Sequence, residues 1–69
     1  MDIGKAVKSR RLEKGYKQYA LADLAGVEQS SLCAVEHSKK NTRIQTLMAI
    51  ADALDVKLSV LIAEAEQYE

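Results

Sequence analysis

The chain has no proline and a single cysteine, Cys33, among its 69 residues. One cysteine cannot form an internal disulfide, so we expect a reducing, cytoplasmic setting. No apolar run approaches the roughly 20 residues that a membrane-spanning helix needs. The residues after Met1 lack the basic and apolar regions of a secretory signal, and the chain has no repeat, linker or low-complexity segment. These absences leave one small domain, residues 1–69, with no membrane partner expected.

The chain also lacks a net charge, because ten acidic residues balance ten basic ones. The charges are unevenly distributed: residues 1–17 carry +4 and residues 37–46 carry +3, whereas residues 18–36 carry −3 and residues 47–69 carry −4. The two basic blocks flank residues 18–36, and the acidic block lies at the far end. This polarity is typical of a protein with one side facing DNA and another facing a protein partner, although basic faces on small domains are often simply solvated.

Residues 18–36, QYALADLAGVEQSSLCAVE, have the pattern of a helix, a tight turn and a second helix. Leu21, Leu32 and Val35 are spaced to form a shared core between the two helices. Ala22 is small enough to let them approach, and Gly26 can take the positive φ that a sharp turn requires. The pattern therefore predicts two short helices that cross at a steep angle.

The second of these helices presents only short or amide side chains outward: Gln29, Ser30, Ser31 and Ala34. A face without large apolar residues fits the floor of the DNA major groove. The segment is therefore a candidate for reading DNA.

This stretch resembles the helix-turn-helix of the Xre/Cro-type repressor family, and the resemblance extends from about Ile3 to Leu61. The family's first helix is similar to IGKAVKSRRLEKGYKQ, and its fourth helix is similar to NTRIQTLMAIADALDV. The resemblance implies an all-α fold, a four- to five-helix repressor-like helix-turn-helix domain. A four-helix bundle with a coincidental turn at Gly26 is the alternative.

The resemblance also implies roles for individual residues. In the family, a glutamine that opens the second helix contacts a phosphate and braces the glutamine that opens the third, whose amide bonds adenine N6 and N7. Gln18 and Gln29 occupy these positions. Ser30 and Ser31 are candidates for contacts to bases or phosphates, and Ala34 for a contact to a thymine methyl group, with solvated side chains as the alternative. Four more residues are expected near the DNA backbone, with solvated side chains as the alternative: His37, Lys39, Lys40 and Arg43.

A structural ion pair between Arg11 and Glu36 is the last feature that the resemblance implies. The family often places an arginine late in the first helix against a glutamate that ends the third. Removal of one partner of a buried pair is costly, because the other charge is left without compensation.

The C-terminal part of the chain is predicted to hold a fourth helix, from Ile44 to Leu54, and a tail of ambiguous structure. Six apolar residues of the fourth helix are expected to face inward: Ile44, Leu47, Met48, Ile50, Ala51 and Leu54. The tail alternates as a strand would, but a helix would also place Leu58, Leu61, Ile62 and Ala65 on one face. The family commonly has a short fifth helix here that begins with a Ser or Asp cap. This chain has Lys57 at the cap position and β-branched Val60 within the segment, and both favour the strand.

A terminal strand of this kind pairs across a two-fold axis in the HipB-like antitoxins, a subset of the family. Either structure leaves Leu58, Val60 and Ile62 with more apolar surface than a small domain exposes. We therefore expect residues 57–69 to form a dimerisation tail that contacts a second copy of the chain.

Residues for catalysis or metal binding are sparse. Cys33 and His37 lie four residues apart on one predicted helix, but two ligands do not complete a tetrahedral zinc site. No third group is apparent that would orient them as a nucleophile and its base. We expect no enzyme activity, no metal and no cofactor.

Two interpretations compete. The first is a homodimeric repressor that binds a double-stranded DNA operator, with an antitoxin that also binds a cognate toxin among its variants. The second is a protein-interaction module that has kept the fold and binds DNA weakly or not at all. Asp23, Glu28, the missing helix caps and an exposed Leu24 favour the second interpretation.

Overall fold

The computed structural model describes residues 1–37 and 42–68, which form five helices and contain no strand. The predicted all-α helix-turn-helix fold is confirmed. None of these helices is long and apolar enough to cross a membrane. The helices are α1 (Ile3–Glu13), α2 (Gln18–Ala25), α3 (Gln29–Glu36), α4 (Ile44–Ala53) and α5 (Leu58–Ala65).

Two glycines end the first two helices through their backbone conformation. Gly15 has a φ of 74° and Gly26 a φ of 70°, both in the left-handed region. The amide of Val27, just after Gly26, donates to the carbonyl of Ala22 at 3.0 Å, and this bond closes the end of α2. A Cβ at Gly26 would meet no atom within 4 Å. The turn therefore requires glycine for its positive φ and not for space.

Only α1 begins with a side-chain cap, in which the Asp2 carboxylate accepts from the Lys5 amide at 3.1 Å. The residues before the other four helices make no such bond: Lys17, Glu28, Arg43 and Lys57. The first backbone N–H groups of these helices are thus not satisfied by a capping side chain.

The core lies where α1 contacts α3 and α5 and where α2 contacts α3 and α4. Leu21, Leu32 and Val35 are buried, as the helix-turn-helix pattern predicts. Two of the six inward positions predicted for α4 are wrong, because Ile44 and Met48 are each 55% exposed. The spacing of apolar residues predicts which side of a helix faces inward, but not how much of that side the neighbouring helices cover. On α4 they cover only part of the apolar side.

The predicted C-terminal strand is also wrong, since residues 58–65 form α5. Leu61 and Ala65 are fully buried in the core, and α5 packs mainly on α1. A strand would have placed Leu61 on the face opposite Val60 and Ile62. One β-branched residue lowers helix propensity by roughly a few tenths of a kcal/mol, which the burial of Leu61 easily outweighs.

The helix also separates the three residues predicted to form the dimer contact. Leu58 is half-buried and packs against the core of its own chain. Val60 and Ile62 are about 200° apart around the axis, because each residue turns an α-helix by about 100°. They therefore lie on opposite flanks of the buried stripe of α5.

Leu61→Ala should lower the free energy of unfolding by about 2–5 kcal/mol, because it leaves a cavity in the core. Val60→Ala, one residue away and 40% exposed, is the matched control and should cost less than about 1 kcal/mol. Urea unfolding followed by circular dichroism measures both losses. If residues 58–65 formed a strand with Val60 facing the core, Val60→Ala would cost more than Leu61→Ala.

Candidate nucleic-acid interface

Arg11 and Glu36 form an ion pair that joins α1 to the end of α3. The Arg11 Nε lies 2.7 Å from one carboxylate oxygen of Glu36, and Nη2 lies 3.1 Å from the other. The side chains are only 11% and 4% exposed, respectively. Arg11 also donates from Nη1 to the carbonyl of Tyr16 at 2.9 Å. In the described ranges every buried side-chain nitrogen or oxygen has at least one hydrogen-bond partner, and the atoms of this pair are among them.

Gln18 and Gln29 extend this ion pair to the surface. The Gln18 Nε2 donates to Glu36 Oε1 at 3.3 Å, and the Gln29 Nε2 donates to Gln18 Oε1 at 3.4 Å. The four residues Arg11, Glu36, Gln18 and Gln29 thus form one continuous hydrogen-bond chain from the core to the exposed start of α3. The structure brings together two pairs that the sequence analysis treats separately.

The remaining residues of the predicted reading face lie along α3. Ser30 and Ser31 are exposed, and the Ser30 hydroxyl is 3.5 Å from the Glu28 carboxylate. Ala34 is half-buried. All three lack the hydrogen bonds to the core that hold Gln29, so their positions follow from the helix backbone alone.

His37 and Cys33 contact each other at the end of α3. The His37 Nδ1 lies 2.8 Å from the carbonyl oxygen of Cys33 and 3.5 Å from its Sγ. Because a carbonyl oxygen only accepts, Nδ1 carries the proton that is donated to it. Within residues 1–37 and 42–68 no group of three His, Cys, Asp or Glu side chains could hold a metal ion.

Three predicted contacts to the DNA backbone lie at or beyond the end of α3. Arg43 is exposed and directly precedes α4. Lys39 and Lys40 lie outside the described residues.

The acidic tail contacts the first basic block, a proximity that the sequence analysis did not predict. Arg10 of α1 donates from Nε to Glu64 of α5 at 2.8 Å, and a second guanidinium nitrogen contacts the other carboxylate oxygen. This hydrogen bond is the main reason why the pKa of Glu64 lies below its ordinary value near 4.5 and that of Arg10 above its own. The pairing therefore stabilises the fold at neutral pH and is lost as the pH falls through the lowered pKa of Glu64.

Both arginines of the first basic block are therefore paired with carboxylates. The block's other positively charged side chains are four exposed lysines: Lys5, Lys8, Lys14 and Lys17. The basic and acidic blocks are separate in the sequence, but in the structure the first basic block and the acidic block are in contact through Arg10 and Glu64.

The fold agrees with comparisons to known proteins. The helix-turn-helix family model, HTH_3, matches residues 7–61. The chain therefore belongs to the helix-turn-helix family of the Xre/Cro type.

Individual relatives lie among transcriptional regulators. The chain is 38% identical over 68 residues to the HTH-type transcriptional regulator SinR of Bacillus licheniformis, covering 97% of this chain and 61% of SinR. It is 33% identical over 64 residues to the immunity repressor protein of Bacillus phage phi105, covering 93% of this chain and 44% of that repressor. The chain thus spans about three fifths of the length of SinR.

A solved structure of SinR, described as the master regulator for biofilm formation in complex with DNA, has the same fold. It is 39% identical to this chain, with a TM-score of 0.80, and the match covers 87% of this chain and 97% of that one.

Arg11→Ala and Glu36→Ala should each lower the free energy of unfolding by about 3 kcal/mol, because each leaves a buried charge unpaired. The double variant should lose less than the sum, because the two side chains act as a unit. Urea unfolding of the wild type and the three variants measures these free energies and gives the coupling energy of the pair as a double-mutant cycle.

The Arg10→Ala and Glu64→Ala cycle is the matched control for this measurement. It tests a second arginine–glutamate pair anchored on α1 that is more exposed, so water should screen it and its coupling should be smaller. Equal coupling in the two cycles would show that burial does not set the contribution of the Arg11–Glu36 pair.

Proposed function

We propose that this protein is a sequence-specific DNA-binding transcriptional regulator that acts as a repressor and inserts α3 into the major groove. The observation that carries the proposal is the position of Gln29. Its amide is exposed at the start of α3 and held through Gln18 by a buried ion pair. A side chain held in this way loses less conformational freedom on binding than a free glutamine would. The names of the relatives, a transcriptional regulator and a phage repressor, support the same function.

In this proposal the outward side chains of α3 read the bases. Gln29 pairs its amide with N6 and N7 of an adenine, the pairing that suits glutamine in the major groove. Ser30 and Ser31 contact neighbouring bases or phosphates, and the methyl group of Ala34 contacts a thymine methyl.

Phosphate contacts fix the position of α3 in the groove. Gln18 contributes one at the start of α2, where Lys17 makes no capping bond to the first backbone N–H groups. Arg43 and His37 are exposed on the described surface, and Lys39 and Lys40 complete the proposed set. The exposed lysines of the first basic block add a weaker long-range attraction.

A second copy of the chain is proposed at the groove between the end of α4 and the start of α5. Met48 and Leu58 line this groove. Ile62 lies one helical turn after Leu58 and so falls on the same flank of α5. Val60 falls on the other flank with Glu64, which faces α1. A homodimer formed here would present two copies of α3 to half-sites about one turn of DNA apart.

The antitoxin variant of this function has less support than the simple repressor. The feature that favoured the HipB-like subset was a terminal strand, and residues 58–65 form α5 instead. A toxin partner is accordingly a proposal that rests on the family resemblance alone. A cytoplasmic location is proposed separately, from the single cysteine.

An exposed leucine favours the second candidate function, a protein-interaction module. Leu24 of α2 is 59% exposed, and Tyr19 on the same helix is 62% exposed. Large apolar side chains at such positions often mark contacts with another protein. Measured affinity for DNA separates the two functions, because the protein-interaction module would bind DNA weakly or not at all.

Gln29→Ala should weaken binding to the protein's own operator, identified by selection from random-sequence DNA, by about 1–3 kcal/mol per half-site, because it removes the bidentate pairing with a base. Binding to random-sequence DNA should hardly change, since phosphate contacts provide that affinity. Electrophoretic mobility shifts with both DNAs measure the contrast.

Arg43→Ala is the control, because a phosphate contact should contribute equally on operator and random DNA. It should weaken both and reduce the log–log salt slope by about one unit for each phosphate that is no longer neutralised. If Gln29→Ala instead weakens both DNAs equally, Gln29 is a backbone contact. Wild-type binding with no salt dependence would favour the protein-interaction module.

Ile62→Glu should convert a dimer into a monomer, because it places a charge in the proposed apolar contact. Val60→Glu adds the same charge on the opposite flank of α5 and should leave the dimer intact. Sedimentation velocity measures the oligomeric state of each. If both variants become monomers, or if neither does, the contact between copies lies elsewhere.

A further inference from the structure

Glu36 is the one member of the hydrogen-bond chain that can only accept. Its carboxylate receives two N–H groups from Arg11 and one from Gln18. A glutamine amide, in contrast, has an accepting oxygen on one side and a donating nitrogen on the other, and either side can face a neighbour. The carboxylate therefore determines which side of Gln18 faces the core.

The orientation of Gln18 in turn determines that of Gln29. With its nitrogen turned to Glu36, Gln18 presents Oε1 toward the surface. Only the nitrogen of Gln29 can donate to this oxygen, and it lies 3.4 Å away. Gln29 is left with its own Oε1 and one N–H for a ligand.

We propose that Glu36 is a positioning residue that makes Gln29 discriminate adenine from guanine. The inference rests on the proposed function, in which Gln29 contacts a base. Adenine presents a donor at N6 beside an acceptor at N7, which matches one oxygen and one N–H. Guanine presents two acceptors, O6 and N7, so its O6 would face the Gln29 oxygen.

Without Glu36 and Gln18 this discrimination would weaken. A free Gln29 amide can turn over and direct both of its N–H groups to O6 and N7 of guanine. It can equally pair with adenine in the original orientation. The contact would remain, but its preference for one purine would be small.

Selection from a library of random-sequence DNA duplexes tests this inference. The wild type should enrich a consensus, and Gln29→Ala should lose the preference at one base pair, which identifies the contacted base. At that base pair the wild type should prefer adenine over guanine by at least about fivefold in competition binding. A wild-type selection with no consensus, or no change with Gln29→Ala, overturns the proposed function of Gln29 and this inference with it.

Gln18→Met interrupts the hydrogen-bond chain while leaving the Arg11–Glu36 pair in place. Its adenine preference at the identified base pair should fall to about twofold or less, with the other positions of the consensus unchanged. Loss of a phosphate contact alone would lower the affinity for the adenine-containing and the guanine-containing duplex equally, so the ratio of the two affinities would not change. Gln67→Met makes the same chemical change at an exposed site beyond α5 and should keep the wild-type ratio.

Glu36→Gln completes the test, because an amide at this position can turn either its oxygen or its nitrogen to Gln18. Its adenine preference should fall as far as that of Gln18→Met, with folding checked by circular dichroism at the temperature of the assay. A full adenine preference in Gln18→Met, or in folded Glu36→Gln, overturns the inference alone and leaves base contact by Gln29 standing. If Gln67→Met also loses the preference for adenine, the loss does not depend on the hydrogen-bond chain, and the inference is overturned as well.

Discussion

The buried ion pair between Arg11 and Glu36 is the constraint on which the rest of the structure depends. Two charges removed from water are tolerated only when nearly every donor and acceptor is bonded, and here the pair and the Tyr16 carbonyl supply those bonds. This requirement fixes the end of α1, the turn after it and the end of α3 relative to one another. Helix α3 is thus held at its C-terminal end by electrostatics and along its length by Leu32 and Val35.

Much of the helix-turn-helix could be predicted from the sequence, because its constraints are local. Gly26 must supply a positive φ, and the spacing of Leu21 and Leu32 determines which faces meet. Gln18 and Gln29 were predicted as a pair from the family resemblance, and the structure places their amides in contact. These features depend on residues near one another in the chain, or on a pattern that the family repeats.

The features that the sequence analysis missed depend on which element lies against which. Residues 58–65 fit both a strand and a helix by pattern, and local preferences favoured the strand. The burial of Leu61 and the packing of α5 on α1 favour the helix instead. The same packing brings Glu64 to Arg10, across 54 positions of sequence. The exposure of Ile44 and Met48 follows from how much of α4 its neighbours cover, which no periodicity reports.

The hydrogen-bond chain also divides the outward side chains of α3 into two groups that differ in how freely they can be substituted. Gln29 is bonded through Gln18 to a carboxylate on which the packing of α1 against α3 depends, so its orientation is tied to the stability of the domain. Ser30 and Ser31 have no such bond to the core and are exposed, and substitution of exposed helix residues usually costs little. In the proposed function, a new operator would be acquired most readily through these two positions. The base contacted by Gln29 would then be the part of the operator that changes least.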